Sequence, residues 1–338
     1  QQGFDFWYGY LCQRMAHNYY PTHLWKNTEK DHLEGNPYFF PYQKFPEDKD
    51  PLDQNAYDDY KGQTYSMDRM AEEALLFIEQ NKENPFFLYL PFPVPHVSIQ
   101  VPEDSLKEYE GAFPETPYLG DKGYTPHPAP RAGYAAMITR MDREIGRILD
   151  LLEKLGLSEN TVVMFSSDNG PTFNGGTDSA FFQSAGPLRG LKTMLYEGGI
   201  RVPMIARWPG KIQPGSQTDH ISAFWDVLPT LIDIVGGDPP DDVDGISFLP
   251  TLLGQREKQK QHEHMYWEYK GRQAVRMGNW KGYRPGVEEP IELYNLEEDI
   301  GEKMDLASDR PEIVAEIKEI MQTARTESEL FPLNRNKR

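Results

Sequence analysis

The sequence predicts an α/β protein in which a mostly parallel sheet is sandwiched by helices, and three observations carry that prediction. Short apolar runs of strand length alternate with longer stretches of helical periodicity. Polar residues capable of chemistry follow those runs directly, at the strand ends where open α/β sheets bind ligands. Gly- and Pro-rich connections punctuate the alternation, as crossovers between neighbouring strands require.

The first 66 or so residues are aromatic and loop-rich. They contain a dense cluster, Arg14-Met15-Ala16-His17-Asn18-Tyr19-Tyr20-Pro21-Thr22-His23-Leu24-Trp25. Aromatic faces stack on sugar rings, and His17 or Asn18 can bond hydroxyls, so the cluster is a candidate substrate pocket; a packed surface excursion is the alternative. Met67 to Lys82 places Met70, Ala74, Leu75, Phe77 and Ile78 on one helical face. That helix leads into Asn84-Pro85-Phe86-Phe87-Leu88-Tyr89-Leu90, which reads as a core strand, and then into Pro91-Phe92-Pro93-Val94-Pro95-His96. The prolines stiffen this loop and favour a held histidine at its end over a floppy, solvated one.

From Arg131 to Leu155, Ala135, Ile138, Met141, Ile145, Ile148, Leu149, Leu152 and Leu155 recur at helical steps. This predicts a long helix with one buried stripe, with Arg140, Asp142, Arg143 and Glu144 mostly on its solvated side. Thr161-Val162-Val163-Met164-Phe165 then reads as a buried strand that delivers Ser166-Ser167-Asp168-Asn169-Gly170 to its carboxyl end. Asp-Asn-Gly is also ordinary turn chemistry, so alone it leaves function and turn both open. The next segment, Gly186 to Pro203, combines Lys192 with Glu197-Gly198-Gly199 and the start of a strand over Val202 to Ala206. A helix over Asp226 to Val235 ends at Gly236-Gly237, and the texture then shifts to short strands: His264 to Tyr269, Arg272 to Met277, Trp280 to Tyr283 and Ile291 to Tyr294. A last helix is expected from Pro311 to Arg325. His262 and His264 read as a wet strand edge rather than a metal site.

Ser167-Asp168-Asn169-Gly170 followed by Leu188-Arg189-Gly190-Leu191-Lys192 and Glu197-Gly198-Gly199-Ile200-Arg201-Val202-Pro203 resembles the formylglycine-dependent sulfatases of the alkaline phosphatase superfamily. The resemblance implies that Asp168 and Asn169 ligate one divalent cation, calcium or magnesium, and that Lys192 contacts the sulfate. It also implies that His96 contacts substrate, making His96 and Lys192 the candidate catalytic residues. It further implies an alkaline phosphatase-like catalytic domain over 1–255 and a small carboxyl-terminal antiparallel sheet with its helix over 256–338. The partners implied are a sulfated small molecule or carbohydrate and the maturation enzyme that generates formylglycine. Periplasmic or secreted localisation follows the same resemblance.

The sequence contains neither Cys-x-Pro-x-Arg nor Ser-x-Pro-x-Arg, the motif whose first residue becomes formylglycine in that family. Cys12, the sole cysteine, has no proline two positions on and reads as a buried small residue. The opening Gly3-Phe4-Asp5-Phe6-Trp7-Tyr8-Gly9 resembles the stretch that follows the missing nucleophile, two aspartate ligands and a lysine-histidine segment. The chain is therefore expected to be the larger, carboxyl-terminal part of a sulfatase, inactive by itself. A phosphatase, phosphodiesterase or phosphonate hydrolase of the same superfamily is the rival, and a non-catalytic remnant is another. Asn169 beside the strand-end aspartate favours a single hard cation over zinc, which prefers histidine and cysteine.

At 338 residues the chain is long enough for one large α/β core and a smaller appended unit. No apolar run is long enough to cross a bilayer. Its 53 acidic against 35 basic residues, a net charge of -18, argue against nucleic acid or an anionic membrane as partner. An anionic substrate must then be drawn in by a local cationic pocket against the global field. A single cysteine precludes an internal disulfide and leaves the compartment open.

Overall fold

The structure, a computed structural model, describes residues 3–333. Packing divides the chain into two compact units. The first runs to Ser158 and takes in Thr172–Phe182; the second comprises Glu159–Pro171 and the chain from Gln183 onward.

In the first unit, β1 (Tyr8–Gly9), β2 (His23–Lys26) and β3 (Glu29–His32) form a three-stranded antiparallel sheet. Its β2–β3 turn uses Asn27 at positive φ (54°), a conformation asparagine tolerates better than most residues. Three helices follow: α1 (Ser66–Asn81), α2 (Glu103–Lys107) and α3 (Pro130–Lys154). The core gathers Tyr19, Tyr65, Met67, Val97, Ile99, Ala136 and Met137. Arg140 ties the three helices together, donating from Nε to Asp68 at 2.8 Å and from Nη1 to Asp104 at 2.9 Å. It is mostly buried rather than solvated, and Glu144, also expected on the wet side, is buried and paired with Arg147 at 2.6 Å.

The buried face of α3 is offset from the predicted stripe. Ala132, Gly133, Ala136 and Met137 are buried while Ile138 is exposed. Small residues set the closest approach: a Cβ on Gly133 would lie 2.5 Å from the Ile99 side chain. A second departure is the expected strand over Phe86–Leu90. Residues 85–93 are irregular, with Phe87 58% and Tyr89 67% exposed. An apolar extended run becomes a strand only where a neighbour pairs its backbone, and none does so among the described residues. Cys12, expected to be buried, is exposed.

The second unit opens with β4 (Val163–Ser166), α4 (Glu197–Ile200) and β5 (Met204–Arg207). β4 and β5 pair antiparallel, with Val163 opposite Arg207 and Ser166 opposite Met204. Strand alternation suggested parallel neighbours, but every ladder among the described residues is antiparallel. α5 (Val227–Ile234) and α6 (Leu249–Leu252) precede a four-stranded antiparallel sheet in sequence order: β6 (Met265–Tyr269), β7 (Arg272–Met277), β8 (Trp280–Arg284) and β9 (Glu292–Asn295). The closing helix, α7 (Pro311–Thr323), buries Ile317 and Met321 against Val275, Ile291 and Leu293. Successive strand residues point to opposite faces, so Ala274, Tyr283 and Tyr294 pack on the other side, against Leu195 and Tyr196. This is the small carboxyl-terminal sheet with its helix that the motifs implied.

His262 is not a wet strand edge. Its Nε2 lies 2.8 Å from Asp226 Oδ1, and Asp226 is 1% exposed and also accepts from the amides of Ala223 and Ile246.

In the first unit His127 is buried, and its Nδ1 accepts from the Ala129 amide at 3.1 Å. Burial pushes its pKa down to about 4 from the ordinary 6.5, with nearby Lys61 adding to the effect. Between those values the unfolded chain binds a proton that the folded chain does not, so stability falls as pH falls through this window. The full linkage is about 3 kcal/mol. His127→Gln, which retains an acceptor but does not titrate, should show a shallower loss of urea-unfolding free energy from pH 7 to pH 4.5. An unchanged slope would mean that other groups carry the acid sensitivity.

Candidate active site

The residues singled out by sequence fall into both units. His17, Asn18 and His96 belong to the first, and Asp168, Asn169 and Lys192 to the second.

In the first unit the proline-rich loop is held from inside by Tyr19, whose hydroxyl donates to the carbonyls of Pro93 at 3.0 Å and His96 at 2.6 Å. Ser98 Oγ donates to His17 O at 2.8 Å, lacing the His96 loop to the aromatic cluster. The two imidazoles consequently stack, with ring centres 4.7 Å apart and planes 9° from parallel. Tyr124 stands edge-on to both rings, and the Tyr42 hydroxyl shares a hydrogen bond with His17 Nδ1. His96 Nδ1 lies 2.6 Å from the Val97 carbonyl. Carbonyl oxygen only accepts, so Nδ1 carries the hydrogen and Nε2 is the nitrogen at which His96 gains or loses a proton.

Asn18 plays a different part from the one expected. It is 1% exposed, its Oδ1 accepts from the Tyr20 amide at 2.9 Å and its Nδ2 donates to Phe39 O at 3.4 Å. Both ends of the amide are used inside the fold, so Asn18 braces the cluster and does not present itself to a ligand. Tyr42 and Tyr124, which the sequence did not single out, stand with the histidines instead. Tyr124 adopts a positive φ of 72°, a conformation that no local sequence pattern announces.

In the second unit β4 carries Asp168 and Asn169 just beyond its carboxyl end, Asp168 exposed and Asn169 half-buried. The following residues lock this end onto the Lys192 segment. Gly170 N donates to Gly199 O at 3.0 Å, Lys192 N donates to Pro171 O at 2.8 Å, and Gly198 N donates to Arg189 O at 2.7 Å. The backbones approach too closely for side chains: a Cβ on Gly170 would lie 1.9 Å from Gly198 O, and one on Gly198 would lie 2.2 Å from Gly190 O. Gly170 thus makes room for the Glu-Gly-Gly main chain, while Gly198 and Gly199 make room for the main chain of the 189–194 segment that carries Lys192.

Lys192 is half-buried and forms no ion pair among the described residues. Asp168 and Asn169 offer a carboxylate and an amide oxygen, the hard donors that suit calcium or magnesium. Among the described residues no group of three or more His, Cys, Asp or Glu converges as a metal cage. Two donors alone leave a bound ion largely hydrated, so the residues fit one side of a hard-cation site.

Residues 2–237 match the Sulfatase family, and residues 191–328 match the carboxyl-terminal region of N-sulphoglucosamine sulphohydrolase. Among curated relatives, a sulfatase of Formosa agariphila is 33% identical over 68% of this chain and 43% of its own length. The N-acetylgalactosamine-6-O-sulfatase of Bacteroides thetaiotaomicron is 30% identical over 77% of this chain and 51% of its own. An uncharacterized sulfatase of Schizosaccharomyces pombe is 27% identical, with 79% and 62% covered. The chain thus spans only part of the length of each of these relatives. Among solved structures, one in complex with a neocarrahexaose superposes with TM-score 0.72 at 23% identity, covering 96% of this chain and 66% of that one. Another, in complex with D-glucosamine-2-N,6-O-disulfate, gives 0.69 at 20% identity, covering 95% and 75%. These matches establish an alkaline phosphatase-like α/β fold. With the family match extending over most of its length, the chain belongs to the sulfatase family.

Proposed function

We propose that this chain supplies the sulfate-binding, metal-binding and leaving-group residues of an enzyme that hydrolyses sulfate esters of a carbohydrate. The observation that carries the reading is the knot in which Asp168-Asn169-Gly170, Lys192 and Glu197-Gly198-Gly199 are fixed by backbone hydrogen bonds. One relative is named an N-acetylgalactosamine-6-O-sulfatase, and two fold neighbours hold a neocarrahexaose and a glucosamine disulfate. The stacked His17 with Tyr42 and Tyr124 is the kind of aromatic wall that accepts a sugar ring. The whole protein's partners are then a sulfated carbohydrate and a formylglycine-generating maturation enzyme, and its place is periplasmic or secreted. Residues 1–255 correspond to the catalytic domain and 256–338 to the carboxyl-terminal subdomain.

The roles follow from charge and proton demand. A divalent cation would supply positive charge to the sulfate oxygens, and a formylglycine would supply the nucleophile. Asp168 and Asn169 would hold one side of that cation. The Lys192 ammonium stabilises charge developing on the transferring group. His96, protonated at Nε2, donates to the departing alkoxide, with Nδ1 kept on the Val97 carbonyl.

The rival within the superfamily is a phosphate or phosphonate ester hydrolase, and a phosphonate monoester hydrolase shares the fold with TM-score 0.57 at 21% identity. Metal content separates the readings. Elemental analysis of an active form should give one calcium or magnesium per chain, and Asp168→Ala should remove it. Two zinc ions per chain, with faster turnover of phosphate than sulfate esters, would overturn the proposal.

A further inference from the structure

We propose that Lys281, buried between Glu197 and Glu302, is a positioning residue for Lys192 and the Asp168–Asn169 strand end, and that the carboxyl-terminal sheet serves as their mount. The inference rests on the functional reading of those three residues and adds what holds them in place.

Lys281 and Glu302 are each 0% exposed. The Lys281 ammonium lies 2.8 Å from Glu197 Oε1 and 3.0 Å from Glu302 Oε1. Glu302 Oε2 accepts from the Glu197 amide at 2.7 Å, which caps the turn that starts α4. Arg201 reaches the other oxygen of Glu197 at 3.6 Å, and Arg276, opposite Lys281 on β7, also lies within electrostatic range of both carboxylates. A lysine withdrawn wholly from water is tolerated only when its charge is met, and both partners of this one lie on segments away from its own strand.

The register shows what the cluster grips. Lys281 lies opposite Arg276 on β7 and Tyr294 on β9, and it shares a sheet face with Tyr283 two residues on. That face meets the segment carrying Lys192 at successive points. Arg189 donates to the Tyr294 hydroxyl at 2.9 Å and to Glu302 O at 2.8 Å, while Arg272 donates to Thr193 O at 3.2 Å. The Tyr196 hydroxyl donates to Glu292 at 2.7 Å, and Glu197 meets Lys281. Residues on both sides of Lys192 are therefore fixed to the sheet. Gly198 and Gly199 then pass the constraint to Gly170, directly after the candidate metal ligands. Lys281 touches no substrate in this arrangement and acts through the turn it holds.

Amide hydrogen exchange of this chain tests the idea without turnover. Lys281→Met keeps an unbranched side chain one atom shorter and removes the charge. It should speed exchange at Gly170, Lys192, Gly198 and Gly199 by tenfold or more, with Leu293 and Ile317 within twofold of the parent. Adding Glu302→Gln, which removes the uncompensated carboxylate, should restore much of the protection. Glu302→Gln alone, a milder variant should Lys281→Met fail to fold, should loosen the same four amides to a smaller degree. Acceleration spread evenly over β9 and α7, or no acceleration at the four amides, would overturn the proposal. The functional reading fails separately: if Lys192→Ala leaves turnover of an active form intact, the clamp stands while the site it holds is not the sulfate site.

Discussion

Lys192→Ala is expected to lower kcat for a sulfate ester by two or more orders of magnitude in a form of the protein that carries a formylglycine. Removing one preorganised charge or donor from a developing anion costs roughly 100- to 1,000-fold, and Lys192 has no carboxylate partner among the described residues to share its charge. His96→Ala should lose a comparable factor, with a diagnostic pH dependence. An acid that donates from Nε2 must be protonated, so parent activity falls as pH rises through the histidine pKa, and that limb disappears in the variant. Esters with better leaving groups should be less sensitive to the loss of His96 but remain sensitive to the loss of Lys192. The neutral comparisons are Lys154→Ala, exposed near the end of α3, and His32→Ala, exposed on β3. His262→Ala is not a neutral comparison, because it strips a partner from the buried Asp226. Should Lys192→Ala match Lys154→Ala, another group must hold the sulfate.

Much of this was legible because motifs encode local necessity. The run from Val163 to Gly170 declares a strand and the polar turn beyond its end, and the glycines of 198–199 declare a close backbone approach that the structure shows directly. Helices α1, α3, α5 and α7 were visible in apolar spacing, within two residues at each end. The remainder depends on partners far apart in sequence. Periodicity placed the stripe of α3 on its large residues, whereas the small Ala132, Gly133 and Ala136 are buried and the close approach is made at Gly133. Asn18 carries the right atoms for a sugar, but Phe39 and Tyr20 claim them. Tyr42 and Tyr124 reach His17 from 25 and more residues away. Nothing in the sequence singles out Lys281, and only the fold shows that Glu197 and Glu302 meet it from 84 and 21 residues away.

Gly170→Ala and Gly146→Ala apply the same chemical change with opposite expected results, and together they test whether the knot at the site is as tight as its backbone distances state. Gly146 lies within α3, and a Cβ added there would meet nothing within 4 Å, so alanine should raise stability by about 0.5–1 kcal/mol through helix propensity alone. At Gly170 the added carbon would sit 1.9 Å from the Gly198 carbonyl oxygen and 3.1 Å from Gly199 Cα, both main-chain atoms with no rotamer to yield. The backbone must separate, which strains the packing and breaks the Gly170 to Gly199 hydrogen bond. A loss of about 3 kcal/mol is expected from overpacking together with that bond. Urea midpoints of the two variants measured beside the parent give both signs in one experiment. The separation should also displace Asp168 and Asn169 from the Lys192 segment, so Gly170→Ala in an active form should weaken metal retention, whereas Gly146→Ala should not. A Gly170→Ala variant as stable as the parent would mean that the two motifs do not interlock, and the positional argument for Lys192 and Asp168 would fall with it.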